Sequence, residues 1–226
     1  MTVNTIEINS SILRPFGPSM LSVTLPPQHI TKLIQMTDDN SHRLNHGEYL
    51  AGQIKSEPYL DPDELAESGF KGIFEAIGKN FIHEELSRNS HFKYFPDSLE
   101  HTINIKLTNA WCVSQYENEY NPLHYHTKCH LSAVLYLKIP EYTPRNLPGK
   151  QDIDGCIEFV NSAINMNGML EAGQFLIRPE VGMLIMFPSN LLHTVYPFQG
   201  PDERRSIAFN LSYFLGQGEY NDISSK

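Results

Sequence analysis

The sequence predicts a mainly β protein with N-terminal helices, built on a double-stranded β-helix, a cupin-like jelly-roll. Three observations predict it. Apolar residues fall at helical spacing over the first ninety-odd positions, and from Ile103 the apolar period drops to two. The strands so marked are short and separated by Pro, Gly and Asn turns, the pattern of a sandwich or barrel. No repeat or low-complexity linker divides the 226 residues, so one domain is expected. In it, residues 1–100 form a helical buttress, 101–215 the jelly-roll core and 216–226 a polar tail.

Met20 to Leu25 reads as a strand closed by Pro26-Pro27, and Ile30, Leu33 and Ile34 then fall at helical spacing. Asn40 to Tyr59 is polar and irregular. Asp61-Pro62-Asp63-Glu64 is a helix start: a capping carboxylate, proline in the first turn and acids at the positive end. Leu65, Phe70, Ile73, Phe74, Ile77 and Phe81 mark one face of a long helix, which Gly69, Gly72 and Gly78 weaken while permitting close packing on a sheet. Ile103, Ile105 and Leu107 open the β region, and Trp111 to Tyr116 continues it. Further strands are expected at 131–138, 156–160, 174–178, 183–187 and 204–214.

Composition excludes several roles. A net charge of −9 opposes a protein that grips nucleic-acid phosphates over a broad face, though not one that takes a single nucleotide or peptide. Cys112, Cys129 and Cys156 are odd in number and show no Cys-x-x-Cys spacing, which points to reduced thiols and a cytoplasmic setting. Met1 to Pro15 lacks a signal-like apolar run, and no stretch approaches the roughly 20 apolar residues of a membrane helix.

The chemistry concentrates in two places. Asn121-Pro122-Leu123-His124-Tyr125-His126 puts two histidines two apart; on an extended strand both point to one face and can reach one metal ion. His193 follows a buried strand and a turn, and a jelly-roll brings such strand ends together. Three imidazoles, or two and a water, suit a first-row metal with open positions. His91, His101 and His130 have no such pattern and read as solvated or packed. The second place is Glu203 to Leu211. As a strand, Arg204, Ser206, Ala208 and Asn210 share one face, and Arg205, Ile207, Phe209 and Leu211 the other. The apolar face fits under helices; the first points an arginine and a serine into the barrel, suited to a carboxylate. The alternative is an arginine that snorkels to solvent. Tyr136 shares its strand face with Ser132 and is either a further donor to that carboxylate or a core tyrosine bonded to backbone.

Together these motifs resemble the iron(II)/2-oxoglutarate oxygenase superfamily and its prolyl-4-hydroxylase-like branch. The sequence is most similar to a bacterial and phage group of 2-oxoglutarate oxygenases with a His-x-His motif. Four ordered motifs carry the likeness: His124-Tyr125-His126, Leu131 to Leu137, Phe187 to His193 and Glu203 to Asn210. The resemblance implies that His124 and His193 hold iron, with His126 standing where most of the superfamily has a carboxylate. It implies that Arg204, with Ser206 and Tyr136, holds the distal carboxylate of 2-oxoglutarate. The activity implied is hydroxylation of a peptidyl side chain or small molecule by dioxygen, with succinate and carbon dioxide as co-products. Pro140 to Gly155, rich in proline and glycine, reads as either a lid over the barrel mouth or a plain surface connection.

Two rivals remain. A three-His cupin-type dioxygenase would need no 2-oxoglutarate, but Lys128, Cys129 and His130 stand where its motif carries a glutamate, and Arg204 and Ser206 have no role in it. A non-catalytic jelly-roll module explains the strands but makes the histidines accidental. The Glu117/Glu119 pair reads as a solvated turn.

Overall fold

A computed structural model describes residues 9–13, 17–88, 103–161 and 173–216. Ten strands, three α-helices and a short 3-10 turn (Gly47–Tyr49) are described: β1 (Asn9–Leu13), β2 (Met20–Thr24), α1 (Pro27–Asp38), α2 (Pro62–Glu67), α3 (Phe70–Arg88), β3 (Ile103–Gln115), β4 (Asn121–His124), β5 (Leu131–Lys138), β6 (Ile157–Val160), β7 (Gln174–Ile177), β8 (Met183–Pro188), β9 (Leu192–Val195) and β10 (Arg204–Leu215). Their pairing makes two antiparallel sheets, ordered β1-β2-β8-β5-β10-β3 and β4-β9-β6-β7, the two walls of a jelly-roll. The five strands expected between 131 and 214 all form, within a residue or two at their ends. Two others were not anticipated: β1, which pairs with β2, and β9, which carries His193.

The expected single helix is two. Asp61 caps α2 by accepting a hydrogen bond from the Asp63 N–H at 2.8 Å, as the sequence indicates. The chain then breaks at Gly69, whose φ of +84° is costly for any residue with a Cβ. Gly78 has the packing role: a Cβ there would sit 2.5 Å from Leu211 Cδ1 and 2.6 Å from Ile105 Cδ1. Gly72 meets nothing within 4 Å and simply faces outward.

The helices cover one face of the larger sheet. Phe74 stacks on Phe209 with ring centroids 4.3 Å apart, and Leu33, Phe81, Ile207 and Leu211 join the same buried cluster. A second cluster, including Met20, Phe159, Ile185 and Phe187, fills the space between the sheets. The alternation read from Glu203 to Leu211 therefore holds: Ile207, Phe209 and Leu211 face the helices, whereas Arg204, Ser206, Ala208 and Asn210 face the barrel interior. None of the described helices is long and apolar enough to cross a membrane.

Arg205 lies on the helix side and closes an ion network instead of joining the apolar cluster. Its guanidinium donates to Asp38 at the end of α1 (2.7 Å) and to both oxygens of Glu203 (2.7 Å each), and Lys138 reaches Asp38 at 3.1 Å. Hydrogen bonds from Arg205 and Lys138 hold the Asp38 carboxyl below its ordinary range. Burial pushes Glu203 up, but hydrogen bonds from Arg205 and Ser114 outweigh it and leave that carboxyl lowered as well. A lowered folded-state pKa contributes stability that is complete above the unfolded value, about 4, and disappears as pH falls through the folded one. Melting temperature is therefore expected to fall steeply below roughly pH 4. In Arg205→Gln the acid limb should be shallower; an unchanged limb would place the acid sensitivity elsewhere.

Candidate active site

Three histidines meet at the barrel mouth. β4 pairs with β9 so that His124 lies directly across from His193, and one ring nitrogen from each of His124, His126 and His193 lies within 4.8 Å of the other two. The ring centroids of His124 and His193 are 4.2 Å apart, and His126 Nε2 stands 3.3 Å from His193 Nε2. Ligands about 2.1 Å from a shared metal would stand roughly 3.0–3.5 Å apart. One expectation is corrected in its reason. β4 ends at His124, so His126 does not reach the site by strand alternation. It is brought there by a non-regular segment pinned to the turn before β9, through His126 N–H to Ser189 O (2.8 Å) and Ser189 Oγ to Cys129 O (2.7 Å).

The tautomers follow from the backbone. His124 Nδ1 donates to Pro122 O at 2.7 Å and His193 Nδ1 to Leu191 O at 2.9 Å. A carbonyl only accepts, so each Nδ1 carries the proton and each Nε2 keeps its lone pair for a metal. Burial lowers the pKa of His124, takes His126 to about 4 and drives His193 well below the usual value, so all three are neutral at pH 7. Phe187 packs edge-on against His193 and Trp111 lies 5.9 Å from His126, giving the site an apolar surround. Among the remaining histidines, His130 is packed, its Nδ1 accepting from Tyr213 N–H at 3.1 Å; His91 and His101 lie outside the described residues.

Deeper on β10 stands Arg204, 1% exposed. It does not snorkel. β10 registers Arg204 opposite Gln115 of β3, and its Nη1 donates to Gln115 Oε1 at 2.9 Å. Gln115 is oriented in turn by its own donation to Glu119 O. Nε and Nη2 of Arg204 are buried without a hydrogen-bond partner, as are the hydroxyls of Tyr136 and Tyr142. Tyr136, opposite Ser206 in the β5–β10 register, lies under the guanidinium with its ring centroid 4.9 Å from Cζ. Burial pushes the Tyr136 phenol up to about 12 and raises that of Tyr142, so both are neutral donors.

Tyr142 and Gln115 were not identified from the sequence. Tyr142 comes from the Pro140–Gly155 loop, none of whose residues lines the large cavity. It packs on Phe198 and on Gly155, where a Cβ would collide with the Tyr142 hydroxyl. Thr143 N–H to Gln199 O and Arg145 to Asp154 fasten the same loop down.

One cavity of about 740 Å³ connects these parts, within the ~300–1,000 Å³ of ligand sites. It is lined by the three histidines, by Arg204 and Ser206, and by His46, Tyr49, Leu50, Ala51 and Glu57.

Residues 109–210 match a family described as "Putative 2OG-Fe(II) oxygenase". The match spans a little under half of the chain, 102 of 226 residues. It contains all three histidines, Tyr136, Arg204 and Ser206. No curated protein matches the chain. Two solved structures share the fold of the chain at TM-score 0.50. A 2OG-Fe(II) oxygenase family oxidoreductase from Burkholderia pseudomallei aligns at TM-score 0.50 with 12% identity, over 84% of each chain. HygX from Streptomyces hygroscopicus, solved with nickel and 2-oxoglutarate bound, aligns at 0.50 with 9% identity, over 85% of this chain and 82% of that one. A Pseudomonas putida prolyl-4-hydroxylase aligns at 0.47 with 16% identity, over 88% and 93%.

The residues present fit the groups that such oxygenases use. Three neutral imidazoles, two of them with Nδ1 committed to backbone carbonyls, form a set that an iron(II) ion can share, and four buried polar atoms around Arg204 lack a partner that a carboxylate would supply.

Proposed function

We propose that the protein hydroxylates a small molecule or a peptidyl side chain, with His124, His126 and His193 as iron ligands and Arg204, Ser206 and Tyr136 as the seat of the 2-oxoglutarate distal carboxylate. Tyr142 joins that seat. Iron and 2-oxoglutarate together supply dioxygen-driven oxidative decarboxylation, giving succinate and carbon dioxide and hydroxylating a C–H bond. The protein's own share is placement. The Nδ1 bonds to Pro122 and Leu191 fix two imidazoles before any ligand arrives, so little ordering remains to be done on binding. Gln115 fixes the guanidinium while leaving Nε and Nη2 free for a planar, two-point contact. Buried neutral phenols add donors without adding charge, and the aromatic surround keeps bulk water from the histidines.

The observation that carries this reading is the set at Arg204: two guanidinium nitrogens and the Tyr136 and Tyr142 hydroxyls, all buried and without a hydrogen-bond partner. Leaving such groups unpaired costs about 1–3 kcal/mol each, which a carboxylate ligand would recover. Its test is anaerobic addition of iron(II) to metal-free protein, followed by titration with 2-oxoglutarate and observation of the visible charge-transfer band. A saturable band is expected. His193→Ala should weaken iron binding by more than roughly 100-fold, since loss of even an outer partner of a ligating histidine costs about 10–100-fold. His126→Ala should do the same if all three rings ligate. Iron binding with no band would instead favour a three-His site that does not use 2-oxoglutarate.

A further inference from the structure

One wall of the cavity is a collar, residues 45–60, laid along the outer edge of β3. Gln53 bridges to Tyr120, Ser56 to Ser114 and Tyr59 to Trp111. At its centre is Glu57, 1% exposed, lining the cavity, with Oε2 buried and without a hydrogen-bond partner. The collar is built around this carboxyl. Asn45 Oδ1 accepts from the Glu57 N–H at 2.9 Å, while Asn45 Nδ2 donates to Lys55 O at 3.0 Å. Gly52 has no Cβ to spare: one would stand 3.0 Å from both Glu57 oxygens and 2.7 Å from Asn121 Oδ1.

Burial and the nearby Glu119 raise the Glu57 pKa to about 7; among the described residues no cation offsets them, although Lys106, Lys128 and Arg204 line other parts of the same cavity. Glu119 is itself committed, accepting from the Lys55 and Tyr116 N–H groups, so it is no solvated turn residue. A buried carboxyl with an anionic neighbour and no counter-ion lacks a positive partner. The approach to it is aromatic. Tyr49 (79% exposed), Tyr125 (57%) and His46 line the same cavity, and faces of this kind attract cations.

We propose that Glu57 is the substrate-selecting carboxylate of this cavity and that the substrate presents a basic nitrogen, an ammonium or guanidinium group, to it. The assignment of that nitrogen to a substrate rests on the oxygenase function proposed above; the binding site for it does not. Substrate enters past the tyrosines, its cationic end pairs with Glu57, and the part to be oxidised is left facing the histidines.

Trp111, the chain's single tryptophan, lines the same cavity and reports on occupancy. Its fluorescence is titrated in the full chain with cadaverine and with Nα-acetyl-lysinamide, against the neutral counterparts 1-pentanol and Nα-acetyl-norleucinamide. The titration is made with iron(II) and 2-oxoglutarate anaerobically and again without either, so absence of the charge-transfer band counts only against the oxygenase reading. Saturable binding of a basic probe at least about tenfold tighter than its counterpart is expected, tenfold corresponding to about 1.4 kcal/mol. Preference for cadaverine would indicate a free amine as substrate, and preference for the lysinamide a peptidyl side chain. Glu57→Gln should lose that tenfold while keeping the band and the melting temperature; Glu57→Asp, which retains the charge, should lose less. Equal binding of basic and neutral probes, no saturable response to either basic probe, or an unchanged affinity in Glu57→Gln would overturn the proposal.

Discussion

Arg204→Met is expected to abolish 2-oxoglutarate binding while leaving the fold intact. Removing one partner of a desolvated charge pair costs about 2–5 kcal/mol, or roughly 30- to 5,000-fold in affinity. The free protein behaves differently. There the guanidinium is buried with one side-chain hydrogen bond, to Gln115, and with Nε and Nη2 unpaired. Replacing such a charge by an apolar side chain of similar volume is often neutral or stabilising by about 1–4 kcal/mol, offset here by roughly 1–3 kcal/mol for the stranded Gln115 oxygen. Melting temperature should therefore change little while the 2-oxoglutarate titration goes flat. Titrating the band and melting the same sample separates the outcomes. A variant that keeps the band, or one that unfolds, would make Arg204 a structural residue.

Phe74→Ala should have the largest effect on stability. Phe74 and Phe209 are both 0% exposed and stacked, one from α3 and one from β10, so they join the helical layer to the central sheet. Truncating a buried phenylalanine costs about 3–5 kcal/mol. Against a total of about 5–15 kcal/mol, that is a large share. Urea denaturation should show the midpoint falling with little change in slope. Because Phe209 faces away from the cavity, the folded fraction should bind 2-oxoglutarate with unchanged affinity. A cost below about 1 kcal/mol would mean that the helices dock mainly through the Arg205 network.

Features set by local alternation could be read from the chain. The period of two from Glu203 to Leu211 separates the face bearing Arg204 and Ser206 from the face bearing Phe209, and the structure keeps that division. The strands around Tyr136 and Met186 were legible for the same reason. β9 was not, because Leu192–Val195 is four residues long, directly follows a turn and contains a histidine and a threonine where a core strand would show an apolar run. The break at Gly69 was masked because Leu65 and Phe70 face the same core from two different helices. Glu57, Gln115 and Tyr142 were invisible for another reason. Each reaches the cavity or its arginine through contacts distant in sequence, and neither periodicity nor spacing encodes those. His126 converges on the site although strand geometry does not carry it there; hydrogen bonds made by its flanking loop do.

The collar has a further consequence. Pro58 O accepts from Cys112 N–H at 2.9 Å and Ser56 O from Ser114 N–H at 3.0 Å, so the segment that carries Glu57 occupies the open edge of β3, where another chain's strand could otherwise pair. If Glu57 selects the substrate as proposed, protection of this strand edge and selectivity fall to the same fifteen or so residues. Evolution, or an engineer, can alter what this cavity accepts by exchanging side chains such as Tyr49 or Glu57. Shortening or displacing the collar would instead uncover a sticky strand, so changes of substrate in this scaffold should proceed by point substitution with the length of the segment held fixed.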